Sequence, residues 1–283
     1  MLLYAAATAA AVIVSLYARF PSDAVGAYAA RTAERLMPGL KLAAAEVRPS
    51  LPAAVRIRGI EAAYRSVPLV ETAQARLAPV LRSVFGPDLV VDIDAGVAGG
   101  RLRARLRIPK DGAAENLTFS AEFDRLELAK IPALAELLGR RIAGVCSGTA
   151  AKTADPASPQ IRIQLRLTDA VVALRQPILR REEVFFQRIE AEASMTGSGL
   201  QIVKCTLVGD AFDGEVSGRI DWKGELDNSG LDLQGTVKPH AQLLAELKQI
   251  VPAQRLPASG PEVQIPFRLS GTLENPRYTV RQR

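Results

Sequence analysis

The chain has 283 residues, 48% of them apolar and 23% charged. That excludes a disordered or collagen-like polymer and leaves room for one large domain or two modest ones. Two cysteines exclude a disulfide-stapled scaffold and a four-thiolate zinc centre, and the single histidine, His240, excludes any catalytic plan needing two imidazoles. The net charge of +6 comes from 36 basic and 30 acidic residues. It is uneven: residues 1–110 carry 15 basic and 8 acidic side chains, or +7, and residues 111–283 carry 21 and 22, or −1.

Met1 to Ala18 contains no charged side chain, and Arg19 ends the run. At about 1.5 Å per residue, a helix of this length reaches roughly 27–30 Å, enough to cross a bilayer core. The spacing predicts a transmembrane anchor over residues 1–20, with Leu2, Leu3, Val12, Ile13, Val14 and Leu16 facing lipid and Tyr4, Tyr17 and Phe20 near its ends. A cleaved signal peptide would need a basic stretch ahead of the apolar run, and none is present. A buried Ala-rich helix is the other alternative. Arg19, Arg31 and Arg35 follow the span, so charge alone weakly favours a cytoplasmic location for the remainder.

Residues 21–40 read as a membrane-proximal amphipathic helix. Ser22 is placed as its N-cap and Pro38-Gly39 as its stop.

From about residue 41 the pattern has period two, which predicts half-buried strands. Arg101–Ile108 reads RLRARLRI, with Leu102, Leu106 and Ile108 on one side and Arg101, Arg103, Arg105 and Arg107 on the other. Ile161, Ile163, Leu165 and Leu167 alternate in the same way. So do Val216, Ile220 and Trp222, and then Val263, Ile265, Phe267 and Leu269. Gly, Pro, Asn and Asp clusters between these runs mark hairpin turns. Helical patches at Ile131–Arg141 and Pro239–Val251 suggest a loose two-fold repeat, about 41–150 and 151–283. The expected fold is mainly β: an elongated curved antiparallel sheet, half-pipe or sandwich, with a few short helices. A half-pipe would leave the alternating apolar residues as the lining of a groove.

Chemistry-bearing constellations are few. Asp92 and Asp94 share a strand face but lack a third ligand, and His240 falls at a helix start. No nucleotide loop, nucleophile elbow or metalloprotease motif occurs. No catalytic, metal or cofactor site is assigned, and the chain is expected not to be an enzyme. Cys146 and Cys205 lie in separate strand-like segments, and whether they pair is left open. The Arg101–Arg107 strand is the sharpest basic patch. With no aromatic side chain interleaved, it does not read as a nucleic-acid surface. A solvated sheet face, anionic lipid heads or an acidic partner are its remaining readings.

Three stretches carry a resemblance to a known family: LELAKIPALAELLGRRIAGVCSGT (Leu126–Thr149), GLQIVKCTLVGDAFDGEVSGRIDWKGELDNSGLDLQGTVKP (Gly199–Pro239) and PFRLSGTLENPRYTV (Pro266–Val280). They resemble the AsmA-like periplasmic proteins, most closely the type II secretion system protein N family. The resemblance implies a single-pass protein of the bacterial inner membrane with its β-rich domain in the periplasm. It also implies a non-enzymatic role in protein secretion, scaffolding or binding other secretion-system subunits. AsmA-like relatives also suggest a lipid-binding or lipid-transfer module with acyl chains in the apolar groove. Membrane lipid and secretion subunits are thus the expected partners, with no nucleic acid. A long trailing domain translocates regardless of flanking charge, so the resemblance outweighs the charge argument on orientation.

Overall fold

The computed structural model describes residues 26, 31, 34, 40–50, 54–64, 67–111, 116–153, 160–178, 181–223, 225–250, 264–273 and 275–280. The predicted anchor residues Leu2, Leu3, Val12, Ile13, Val14 and Leu16 lie outside these. No helix among the described residues is long and apolar enough to cross a membrane. Of the predicted membrane-proximal helix, Gly26, Arg31 and Glu34 are described and are helical. Gly26 approaches Val47 closely enough that a Cβ there would sit 3.6 Å from a valine methyl.

Alternating side chains favour strands, and fourteen of them form. They are β1 (Leu40–Ser50), β2 (Ala54–Tyr64), β3 (Val67–Pro79), β4 (Asp88–Val97), β5 (Gly100–Pro109), β6 (Thr118–Glu127) and β7 (Ile142–Lys152), followed by β8 (Ile161–Ile178), β9 (Arg181–Thr196), β10 (Gly199–Gly209), β11 (Phe212–Lys223), β12 (Glu225–Pro239), β13 (Ile265–Thr272) and β14 (Pro276–Val280). Each pairs antiparallel with its sequence neighbours, giving one open sheet in the order β1 to β14. Of the two expected arrangements the sandwich is therefore not adopted, because the described strands make one sheet.

Local turn chemistry sets the meander. Between β4 and β5, Val97 pairs with Gly100, and the two intervening residues, Ala98 and Gly99, have φ of 46° and 78°. Two consecutive left-handed residues match the right-handed twist of a hairpin. Register shifts break the ladders between β2 and β3, β6 and β7, β7 and β8, and β9 and β10. Bulges of this kind bend strands and increase twist.

Two helices leave the meander. The first, α1 (Pro132–Leu138), starts with Pro at its first turn and ends at Gly139, whose φ of 60° permits the left-handed cap. It folds back onto β3. The second, α2 (Ala241–Ile250), follows β12. The helices thus come after the sixth and the twelfth strand.

Fully buried side chains are few among the described residues. Most of the buried apolar residues are small: Ala54, Ala75, Ala95, Ala98, Ala133, Ala170 and Ala211, with Ile57, Leu128, Cys146, Phe186 and Leu231 beside them. Ala75 and Ala95 oppose each other on β3 and β4. A second cluster forms near α2, where the Phe186 and Phe212 rings meet edge to face at 5.5 Å. Arg181 ties α2 to β9 through Glu246, 3.6 Å away.

Candidate functional site: a continuous apolar sheet face

Residues directly opposite in an antiparallel ladder share a face, so the registers carry one face from strand to strand. Leu102, Leu106 and Ile108 oppose Ala95, Val91 and Leu89 on β4. Leu102 and Leu106 oppose Phe123 and Phe119 on β6. Phe123 opposes Gly148, and Gly148 opposes Leu165. Ile161, Ile163, Leu165 and Leu167 oppose Met195, Ala193, Ala191 and Ile189 on β9. The path continues through Leu200, Ile202, Cys205 and Leu207 on β10 to Ile220 and Val216 on β11, with Trp222 two residues beyond Ile220. It ends with Leu231 and Leu233 on β12 and Ile265, Phe267 and Leu269 on β13.

The sequence-derived apolar residues Leu102, Leu106, Ile108, Ile161, Ile163, Leu165, Leu167, Val216, Ile220, Trp222, Ile265, Phe267 and Leu269 therefore lie on one face. Every one of them is half-buried, neither sealed in a core nor fully open. Val263 lies outside the described residues. At about 4.8 Å between strands the face runs roughly 43 Å from β4 to β13.

Close approach between strands shapes this face at two glycines. A Cβ at Gly148 would overlap the carbonyl oxygen of Gln164 and come within 2.9 Å of the Phe123 ring. A Cβ at Gly235 would overlap the carbonyl oxygen of Glu215 and come within 2.9 Å of the Phe267 ring. At both places an aromatic ring occupies the space a side chain would take.

The opposite face is polar, and its charges are mostly paired. Arg105 donates to Asp92 at 2.7 and 3.1 Å. Arg101 donates to Asp94 with both nitrogens of its fork, the Nε contact being 2.8 Å. These hydrogen bonds hold both carboxyls below the usual carboxylate range. The Asp92–Asp94 pair is thereby explained as counter-charge for β5. Arg107 lies 3.9 Å from Asp88, whereas Arg103 has no carboxylate within 4 Å among the described residues. The same pairing recurs at Arg166–Glu190 (2.9 Å) and Arg268–Asp232 (2.9 Å). A shallow cavity of about 1110 Å³ on this face is bordered by Glu192, Lys204, Glu215, Gln234 and Arg268.

His240 sits at the start of α2, as its position beside Pro239 predicts. Its Nδ1 donates to the Asp210 carbonyl at 2.9 Å, and its Nε2 lies 3.3 Å from Asp213. The carbonyl bond first and the carboxylate second raise its pKa above the ordinary imidazole value, a role that fastens α2 to the β10–β11 turn. Cys146 on β7 and Cys205 on β10 are free thiols. Three strand spacings, about 14 Å, separate their strands, too far for a disulfide. Burial pushes both thiols up, away from reactive thiolates. No group of three or more metal-ligating side chains occurs among the described residues.

No family model, curated protein or solved structure matches the chain. The sheet itself therefore has to carry the functional reading.

Sequence periodicity misses part of the apolar face. β9 contributes Ala191 and Ala193, whose weak hydrophobicity hides the alternation. In β10 the register shifts between Ile202 and Cys205, which reverses the parity of the apolar positions and spoils a strict period of two. Val203 is consequently 58% exposed.

Proposed function

We propose that the chain is a non-enzymatic binding protein whose apolar sheet face shelters the acyl chains of lipids. The observation that supports this reading is the continuous apolar face from β4 to β13, half-buried at every sequence-derived position and met by only one sheet layer. Among the described residues no second sheet covers it, and a continuous apolar face without such a cover marks an interaction site. Its lining is aliphatic, from Leu, Ile, Val and Ala with few aromatics. Among the described residues its polar exception is Lys152 at the end of β7, opposite Phe119 and Ile161; the rest of the lining suits a flexible hydrocarbon better than a substrate held by directed hydrogen bonds.

The test is chemical. The full chain is purified in a non-ionic detergent exchanged extensively, and its organic extract is analysed by mass spectrometry. Phospholipid at about one molecule or more per chain is the expected result. A lipid-free extract from folded protein rejects the reading.

A second reading is a secretion-system subunit of the bacterial envelope. The resemblance of Leu126–Thr149, Gly199–Pro239 and Pro266–Val280 supports it. So does the arrangement of the sheet edges: among the described strands β1 and β14 pair on one side only, which suits strand addition from a partner. Deletion of the gene is then expected to reduce export of folded proteins across the outer membrane, and unchanged export counts against this role.

A further inference from the structure

The polar face contains an arrangement that the ion-pair pattern elsewhere does not share. Three arginines stand directly opposite one another on adjacent strands: Arg48 on β1 faces Arg56 on β2, and Arg56 faces Arg76 on β3. The same transverse row continues through Asp94 and Arg103. The next row on that face, two residues along each strand, holds Glu46, Arg58, Gln74, Gly96 and Arg101. Six guanidinium groups against two carboxylates leave a surplus of four positive charges across β1–β5, and the rows end on β6 at Glu122 and Asp124, opposite Arg103 and Arg101.

The two carboxylates are already used. Glu46 contacts Arg48 and lies 3.7 Å from Arg58, and Asp94 is held by Arg101. Neither Arg56 nor Arg76 has a carboxylate within 4 Å among the described residues, and both are exposed. Like charges directly opposite in a sheet destabilise it, so the fold does not require this row. An external anion relieves the repulsion.

The shape of the patch selects among anions. The six heads stand on an open sheet face at about 4.8 Å strand spacing. The depressions beside them are shallow, one bordered by Arg48, Arg56 and Arg58 and the other by Arg56, Arg76 and Arg101. A small anion in either depression would meet at most three guanidiniums, in water where screening is strong. A planar anionic surface engages all six together. No aromatic side chain stands in either row to stack on a base. These strands are also the first after the uncharged run Met1–Ala18 and hold much of the sequence's basic surplus.

We propose that the polar face of β1–β5, centred on Arg56 and Arg76, docks on a bilayer surface rich in anionic phospholipid. This site lies on the side of the sheet opposite the apolar face and does not depend on acyl-chain uptake there.

The experiment uses the full chain held in non-ionic amphipol, which covers apolar surfaces, and sedimentation with phosphatidylcholine vesicles prepared with or without phosphatidylglycerol. Binding is expected only to the anionic vesicles and is expected to weaken with salt. Each cation near such a surface is worth about fivefold in affinity. Arg56→Gln with Arg76→Gln is therefore expected to lower binding by about 25-fold, while Arg56→Lys with Arg76→Lys retains it. The charge-matched control, Arg166→Gln with Arg219→Gln, removes arginines paired with Glu190 and Asp221 and is expected to change binding by less than about threefold. A thermal midpoint for the Arg56/Arg76 glutamine variant at or above that of the parent excludes misfolding as the cause.

Four results overturn the proposal: equal binding to neutral and anionic vesicles; a glutamine variant that binds like the parent; a control variant that loses as much; or displacement by inorganic phosphate beyond that produced by chloride of equal ionic strength, which would mark a small-anion site. Binding to duplex DNA as tight as to the anionic vesicles overturns it as well.

Discussion

Gly148→Ala and Gly235→Ala are each expected to destabilise the protein by about 3 kcal/mol, at the upper end of the cost of overpacking. At both sites the added methyl overlaps a backbone carbonyl of the neighbouring strand, Gln164 or Glu215, and crowds an aromatic ring. A carbonyl in a ladder is not free to swing aside, and rotating Phe123 or Phe267 away leaves the backbone overlap in place. The measurement is chemical denaturation with hydrogen exchange. Exchange is needed because each strand of this meander meets chiefly its sequence neighbours, so unfolding need not be all-or-none. Protection is expected to fall first in β6–β8 for Gly148→Ala and in β11–β13 for Gly235→Ala. Gly197→Ala is the control: nothing lies within 4 Å of its Cβ position, and the change is expected to stay within about 0.5 kcal/mol of neutral. A loss below that size at Gly148 would mean that the strands separate at little cost.

The contrast between these glycines shows what a sequence does and does not display. Alternation in RLRARLRI and IRIQLRLT fixes the strand state and the inward face of β5 and β8, because period two follows from backbone geometry alone. That is why apolar positions found one strand at a time lie on one face once the registers are linked. Turn clusters such as Gly86-Pro87-Asp88 and Gly197-Ser198-Gly199 are legible from their residue types, whereas the left-handed Ala98 before Gly99 is not. The number of layers is not. A run of alternating apolar residues looks the same whether a second sheet covers it or nothing does, and only the single-sheet topology separates half-pipe from sandwich. The cross-strand partners of charge are equally hidden. The ladder Arg101–Arg107 stands out in sequence, yet Asp88, Asp92 and Asp94 on β4 satisfy three of its four members. The juxtaposition of Arg48, Arg56 and Arg76 is hidden because they lie on three different strands, and only the register sets them side by side.

A lysine on the apolar face is expected to cost little stability and most of the lipid. Leu165 on β8 and Val216 on β11 are half-buried, flanked by Gly148 and Ala191 in one case and by Cys205 and Gly235 in the other. In a closed core an unpaired ammonium would be among the most damaging of substitutions, at more than about 4 kcal/mol. On an open face the lysine stem stays against its apolar neighbours while the charged head reaches water. The loss is then limited to part of the burial energy of one side chain, about 1 kcal/mol. Leu165→Lys and Val216→Lys are therefore expected to unfold at denaturant concentrations close to the parent's and with an unchanged slope. For an acyl chain the same head is an obstacle, since laying hydrocarbon across it requires removing water from a charge. Co-purifying phospholipid is expected to fall about tenfold or more in the double variant, because even a modest desolvation penalty of about 1.4 kcal/mol is a factor of ten. The two readouts decide between distinct physical pictures. A large stability loss with lipid unchanged would mean that the face is covered and the lipid lies elsewhere. Intact stability with lipid lost is the signature of an open face that binds hydrocarbon directly.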